Sequence, residues 1–145
     1  VSIIVEFFAA PDDLSAARTL PGGTRQVFEA VSFGNFDAEE AVLEWECLLA
    51  GGDFEELVDA GEPRAVAEQD GSGGAFVFAV SPRLMDALAH AAPDRLRDVA
   101  ASWVRLRAEE DEHFAPEVAD ALLGSLAGMA GRARRRGHSV YCWVG

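Results

Sequence analysis

The apolar positions change period several times along the chain, and each change predicts a new element. Residues 2–9 form a near-continuous apolar run with Ile4, Phe7 and Phe8, which predicts a strand buried on both faces. Pro11-Asp12-Asp13 opens a short helix to about Leu20, with acids at its positive end, and Pro21-Gly22-Gly23 turns the chain. From Gln26 to Phe33 the pattern alternates, with Val27, Val31 and Phe33 sharing a face with Glu29, and predicts a second strand. A bend at Gly34-Asn35-Phe36 follows.

Asp37, with Glu40 three residues on, has the spacing of a loose capping box. It starts a helix over Ala38–Ala50 whose stripe is Ala41, Val42, Trp45, Leu48 and Leu49, with Glu39, Glu40 and Glu46 on the other side. Gly51-Gly52 stops it, and Asp53 caps a second helix from Phe54 to about Ala60. Arg64–Gln69 and Ala75–Val80 read as a hairpin around the Gly-rich loop 70–74. Ser81-Pro82 and Pro93 each start a helix, the second with Leu96, Val99, Trp103 and Leu106 on its buried face. Pro116 opens the last helix. Its stripe is Val118, Leu122, Leu126, Met129 and Ala133, and its Gly124 and Gly128 sit at a spacing that permits close helix packing. Gly137 ends it, and residues 138–144 close as an apolar strand.

The resulting order is β-α-β-α-α-β-β-α-α-α-β. Strands and helices do not alternate regularly, which disfavours a parallel α/β fold. The expectation is one α+β domain over residues 1–145, with a small mixed or antiparallel sheet and helices packed on one face. The two terminal strands, both apolar, belong at the centre of that sheet. A length of 145 residues suffices for a full core without disulfides.

Charge changes this picture. The formal net charge is −13, and all of it falls in residues 1–70, where 16 acids face three arginines. Residues 71–145 hold nine acids and nine arginines. An acidic half repels phosphate backbones and so argues against nucleic acid. It suits a basic protein partner, pairing of the two halves within the chain or across a homodimer, or solubility alone. The chain has no lysine, and all 12 basic residues are arginine, the mark of a GC-rich genome of actinobacterial type. Its apolar runs fall short of the roughly 20 residues of a membrane span, and Val1–Ala10 carries Glu6 and no basic flank, unlike a signal peptide. Cys47 and Cys142 lie far apart and read as small buried hydrophobes, which points to the cytoplasm.

Candidate chemistry is sparse. His90, His113 and His138 lack a second ligand at metal spacing; Asp111, Glu112, His113 and Glu117 are a loose acidic patch that reads as a solvated loop. The Gly71-Ser72-Gly73-Gly74 loop precedes a strand and has no lysine, which excludes a Walker-type phosphate loop. Ser81 reads as a helix cap rather than a nucleophile. The arginines at 132 and 134–136 gather at the negative end of the last helix, which accounts for them. No cofactor and no metal are expected. Glu40 and Glu44 lie one turn apart, and Glu44 borders the apolar stripe, where partial burial would raise its pKa.

The segment Glu44-Trp45-Glu46-Cys47-Leu48-Leu49-Ala50-Gly51 resembles the Trp-containing, Leu-Leu-x-Gly-ended helix of the YfbM-like bacterial proteins. Ser81-Pro82 through Leu96 and Trp103, and then the long helix, Gly137 and the strand with Trp143, are similar to that family's C-terminal half. The resemblance covers about half of the chain, and the N-terminal strand–helix–strand departs from it. It implies a small cytosolic α+β protein and no catalytic residue, since the family has no established activity.

Two functions remain open. One is an interaction module of inhibitor, immunity or regulatory type that uses the acidic half. The other is a small-molecule binder or enzyme, with a carboxylate-lined cleft where the second strand meets its helix. Asn35, Asp37, Glu40, Glu44 and Trp45 are the candidate binding residues for either.

Overall fold

The computed structural model describes residues 3–24, 28–69 and 74–145. Its elements are β1 (Ile4–Ala10), α1 (Asp13–Ala17), β2 (Ala30–Gly34), α2 (Ala38–Ala50), α3 (Phe54–Asp59), β3 (Arg64–Glu68), β4 (Phe76–Ala79), α4 (Pro82–His90), α5 (Pro93–Glu109), α6 (Pro116–Arg136) and β5 (Ser139–Val144). This is the expected order. The strands form one antiparallel sheet in the order β2-β1-β5-β4-β3. The first and last of these strands, β1 and β5, pair with each other, and β5 is central.

Strand alternation sends side chains to two cores. Val5, Phe7, Ala9, Phe78, Val80, Val140 and Cys142 face the helical layer, where α2, α4, α5 and α6 bury their stripes around Trp45, Trp103, Leu123, Leu126 and Met129. The opposite face carries Phe8, Ala10, Val77, Ala79, Tyr141 and Trp143, packed with Ala16 of α1, Leu20 and Phe28. The four longer helices thus share one face, and the short α1 with its following turn partly covers the other.

Local chemistry sets the helix starts. Asp12, Asp37, Asp53 and Ser81 each accept a hydrogen bond from a first-turn N–H, and Pro82, Pro93 and Pro116 occupy first helical positions. Gly137 ends α6 at φ 69°, a left-handed conformation that glycine adopts without a Cβ clash.

Four expectations need correction. The second strand begins at Ala30 rather than Gln26: Gln26 and Val27 lie outside the described residues, and Phe28 instead stacks on Phe8 at 5.7 Å. The α6 stripe runs through Ala119, Leu122, Leu123, Leu126, Met129, Ala130 and Ala133, leaving Val118 51% exposed. Gly124 does not serve packing, because a Cβ there would meet open space, and at Gly128 it would meet only the Arg132 side chain. Glu46, expected outside, is 3% exposed and accepts a hydrogen bond from the Ser81 hydroxyl. The loop 70–73 lies outside the described residues, but the β3–β4 pairing expected on either side of it is present.

Candidate functional site

The five candidate residues gather around the start of α2, and each already has a structural task. Asn35 sits at φ 58°, a conformation that asparagine tolerates better than most side chains. Its N–H donates to the Ile3 carbonyl at 3.1 Å, and its Oδ1 accepts from the Ile3 N–H at 3.2 Å. This exchange ties the bend after β2 back to the start of β1. The Asp37 carboxylate accepts from the Glu40 N–H at 3.1 Å and caps α2.

Glu40 and Glu44 point one turn apart toward α5, where Arg107 meets both. The Arg107 Nη2 donates to Glu44 Oε2 at 2.6 Å and to Glu40 Oε1 at 3.2 Å, and its Nη1 donates to Glu112 Oε1 at 3.4 Å. The other Glu44 oxygen accepts from Trp103 Nε1 at 3.0 Å. Glu44 is 6% exposed and Arg107 is 5% exposed. Trp45 is fully buried, with its ring 5.3 Å from that of Trp103. Phe36 and Phe114 complete the aromatic packing around the two tryptophans.

The electrostatics follow from this closure. Burial pushes the Glu44 carboxyl above its ordinary value, against the pull of the Trp103 hydrogen bond and the Arg107 charge. Burial works to lower the pKa of Arg107, but the carboxylates of Glu44, Glu40 and Glu112 outweigh it and hold the guanidinium above its ordinary value. A charge buried this deeply needs such partners. Glu40 and Glu44, expected to line a cleft, therefore turn oxygens to a neighbouring helix, and the group acts as an ionic clasp between α2 and α5.

Three further polar groups escaped the sequence reading. Glu6 projects from β1 onto the second sheet face, half-buried, where it accepts from the Thr24 N–H and hydroxyl at 3.3 Å each. Gly23 lets the preceding turn approach that carboxylate: its φ is 81°, and a Cβ there would collide with Glu6. A groove lined by Ile4, Glu6, Thr24, Phe28, Ser32 and Trp143 runs along this face. The second group is Tyr141, whose hydroxyl donates to Asp13 Oδ1 at 2.8 Å, while Asp13 also pairs with Arg64 at 2.7 Å. Burial and the Asp13 carboxylate push the Tyr141 hydroxyl up to about 12. The third is Glu46, which holds Ser81 and Arg83, and Arg83 in turn donates to the Ala50 and Gly51 carbonyls at the end of α2.

A signal for Glu6 was present, since it interrupts an apolar strand. The clasp had one too: Arg107 lies four residues after Trp103, on the same stripe, where a charge must be paired.

Among the described residues, no group of three or more histidine, cysteine, aspartate or glutamate side chains is placed to hold a metal ion. No described helix is long and apolar enough to cross a membrane. No family model, no curated protein and no solved structure matches the chain.

Proposed function

We propose that the protein is a partner-binding module, of inhibitor or regulatory type, that engages a basic surface through α3. The observation that carries this reading is that α3 buries none of its side chains. It stands on the α2–β3 connection with Asp53, Glu55, Glu56, Asp59 and Glu62 within ten residues. Among the described residues, no arginine forms an ion pair with Glu55, Glu56, Asp59 or Glu62. Several acids elsewhere are matched: Glu29 by Arg132 and Arg136, Asp86 by Arg134, and Asp13 by Arg64. Val58 is 45% exposed and Phe54 and Leu57 are half-buried, so apolar area lies beside the carboxylates. Such a mixture favours a protein partner, with charge setting encounter and apolar contact setting residence.

The alternative, a ligand-binding or catalytic cleft at Asp37 and Glu44, is weakened because Arg107 and Trp103 already occupy the Glu44 oxygens. Acidic α3 also disfavours nucleic acid as the partner. Two further statements belong to the same proposal. Cys47 and Cys142 are free thiols, which suits the cytoplasm. Kinship with the YfbM-like proteins rests on the α2 sequence and the C-terminal half.

The test compares two baits, the natural chain and Glu55→Arg/Glu56→Arg/Asp59→Arg. The natural chain is expected to retain a basic protein at low salt and release it at high salt, and the variant to retain none. Recovery of the same proteins by both baits, or retention independent of salt, would overturn the reading.

A further inference from the structure

We infer that the free edge of β2 receives an extended segment of a partner chain whose side chains alternate between apolar and basic. The inference goes beyond the α3 reading, since α3 leads into β3 at the opposite edge of the sheet.

The two edges differ in how they resist strand addition. β3 is defended: its pairing with β4 is irregular between Ala65 and Ala67, charged Arg64 and Glu68 sit at its ends, and Pro63 precedes it. β2 has none of these devices. It reads Ala30-Val31-Ser32-Phe33-Gly34, pairs with β1 in unbroken register, and carries neither charge nor proline. Among the described residues only β1 pairs with it. Natural edges left this open are templates for another strand.

The two sides of the edge specify what that strand would carry. On the helical side, Val31 and Phe33 pack against the main core. Beside Phe33 lies a cavity of about 100 Å³, walled by Phe36, Phe114, Val118 and Leu122. A residue placed opposite Phe33 would project over this cavity, and the walls suit an aliphatic side chain. On the other side, the register places Ser32, Glu6 and Trp143 in one row across three strands. A residue placed opposite Ser32 would join that row, two strand spacings or about 10 Å from the Glu6 backbone. Ser32 is small and exposed, so a long basic side chain can cross it to the Glu6 carboxylate. A second copy of this chain fits less well, because antiparallel β2–β2 pairing centred on Ser32 brings no basic residue to that row.

The test uses a synthetic nine-residue peptide alternating valine and arginine. Its controls are the valine–glutamate counterpart and the same valine–arginine peptide N-methylated on alternate amides, in the two registers. Calorimetry and amide hydrogen exchange are read together. The arginine peptide is expected to bind with exchange protection centred on residues 30–34. One N-methylated register should bind roughly tenfold more weakly, because it loses the backbone donors that face β2. Glu6→Gln should reduce the preference for arginine over glutamate by about tenfold while leaving the N-methyl effect intact. Equal binding of both N-methylated peptides, protection at β3 instead, or association of the chain with itself through residues 30–34 would each overturn the inference. Charge reversal on α3 should not change any of these results, so this proposal and the α3 reading fail separately.

Discussion

Tyr141 is the only tyrosine in the chain, so phenolate absorbance reports on it alone. Its hydroxyl is pushed up to about 12 by burial and by the Asp13 carboxylate that accepts its hydrogen bond. The folded protein should therefore show no phenolate signal through pH 10 to 11, where an unfolded tyrosine has already titrated near 10. An acid with a raised pKa binds its proton more tightly when folded. Stability should fall as pH rises through the unfolded value, and Asp13→Asn should move the folded titration down.

The clasp at Arg107 obeys a different asymmetry. Arg107→Met leaves Glu44 buried without its cation and should cost about 3–5 kcal/mol in urea unfolding followed by tryptophan fluorescence. Glu44→Gln keeps an acceptor for Trp103 Nε1 and leaves Arg107 with Glu40 and Glu112, so it should cost far less. Combining the two should recover part of the Arg107→Met loss. The raised Glu44 pKa has its own sign: the natural chain should gain stability relative to Glu44→Gln as pH falls through the folded Glu44 value towards the unfolded one.

At the scale of elements, α6 carries a glycine that its surroundings do not require. A Cβ at Gly124 meets nothing within 4 Å, and the residue lies inside a regular 21-residue helix. Gly124→Ala should therefore stabilise the protein by about 0.5–1 kcal/mol, read as a higher thermal midpoint. A lower midpoint would mean that the glycine is needed for something the fold does not show. Element boundaries were legible in the sequence wherever their cause is local. Asp37 and Ser81 could be read as caps because the N–H groups they accept from lie three residues ahead. Burial of Glu44 with a raised pKa was legible, but the partners of Glu44 and Glu46 were not, since Arg107 and Ser81 lie 63 and 35 residues away. The stripe placed Glu44 at its border and Glu46 on the far side, and the approach of α5 and α4 decides that both are covered. Val118 shows the converse: its spacing fits the α6 stripe, but no helix packs against that end of the face closely enough to bury it.

At the scale of the whole molecule, the charge imbalance read from the sequence becomes a statement about place. The arginines of α6 are largely tied to Glu29 and Asp86, whereas no described arginine forms an ion pair with Glu55, Glu56 or Asp59 of α3. Reversing three of them takes the net charge from −13 to −7. Because no side chain of α3 is fully buried, Glu55→Arg/Glu56→Arg/Asp59→Arg should fold with a nearly unchanged thermal midpoint, the relief of net repulsion offsetting the loss of two first-turn acids. A large loss of stability would show that α3 is a structural brace instead of a free surface.

The place of β5 has a consequence in time. It follows the other four described strands in the sequence, yet it separates β1 from β4, so without it the described sheet is only the two pairs β1–β2 and β3–β4. Isolated two-stranded pairs are marginal in water. On the ribosome, then, the nascent chain should stay protease-sensitive until residues 139–144 clear the exit tunnel, and should close its sheet in one late step.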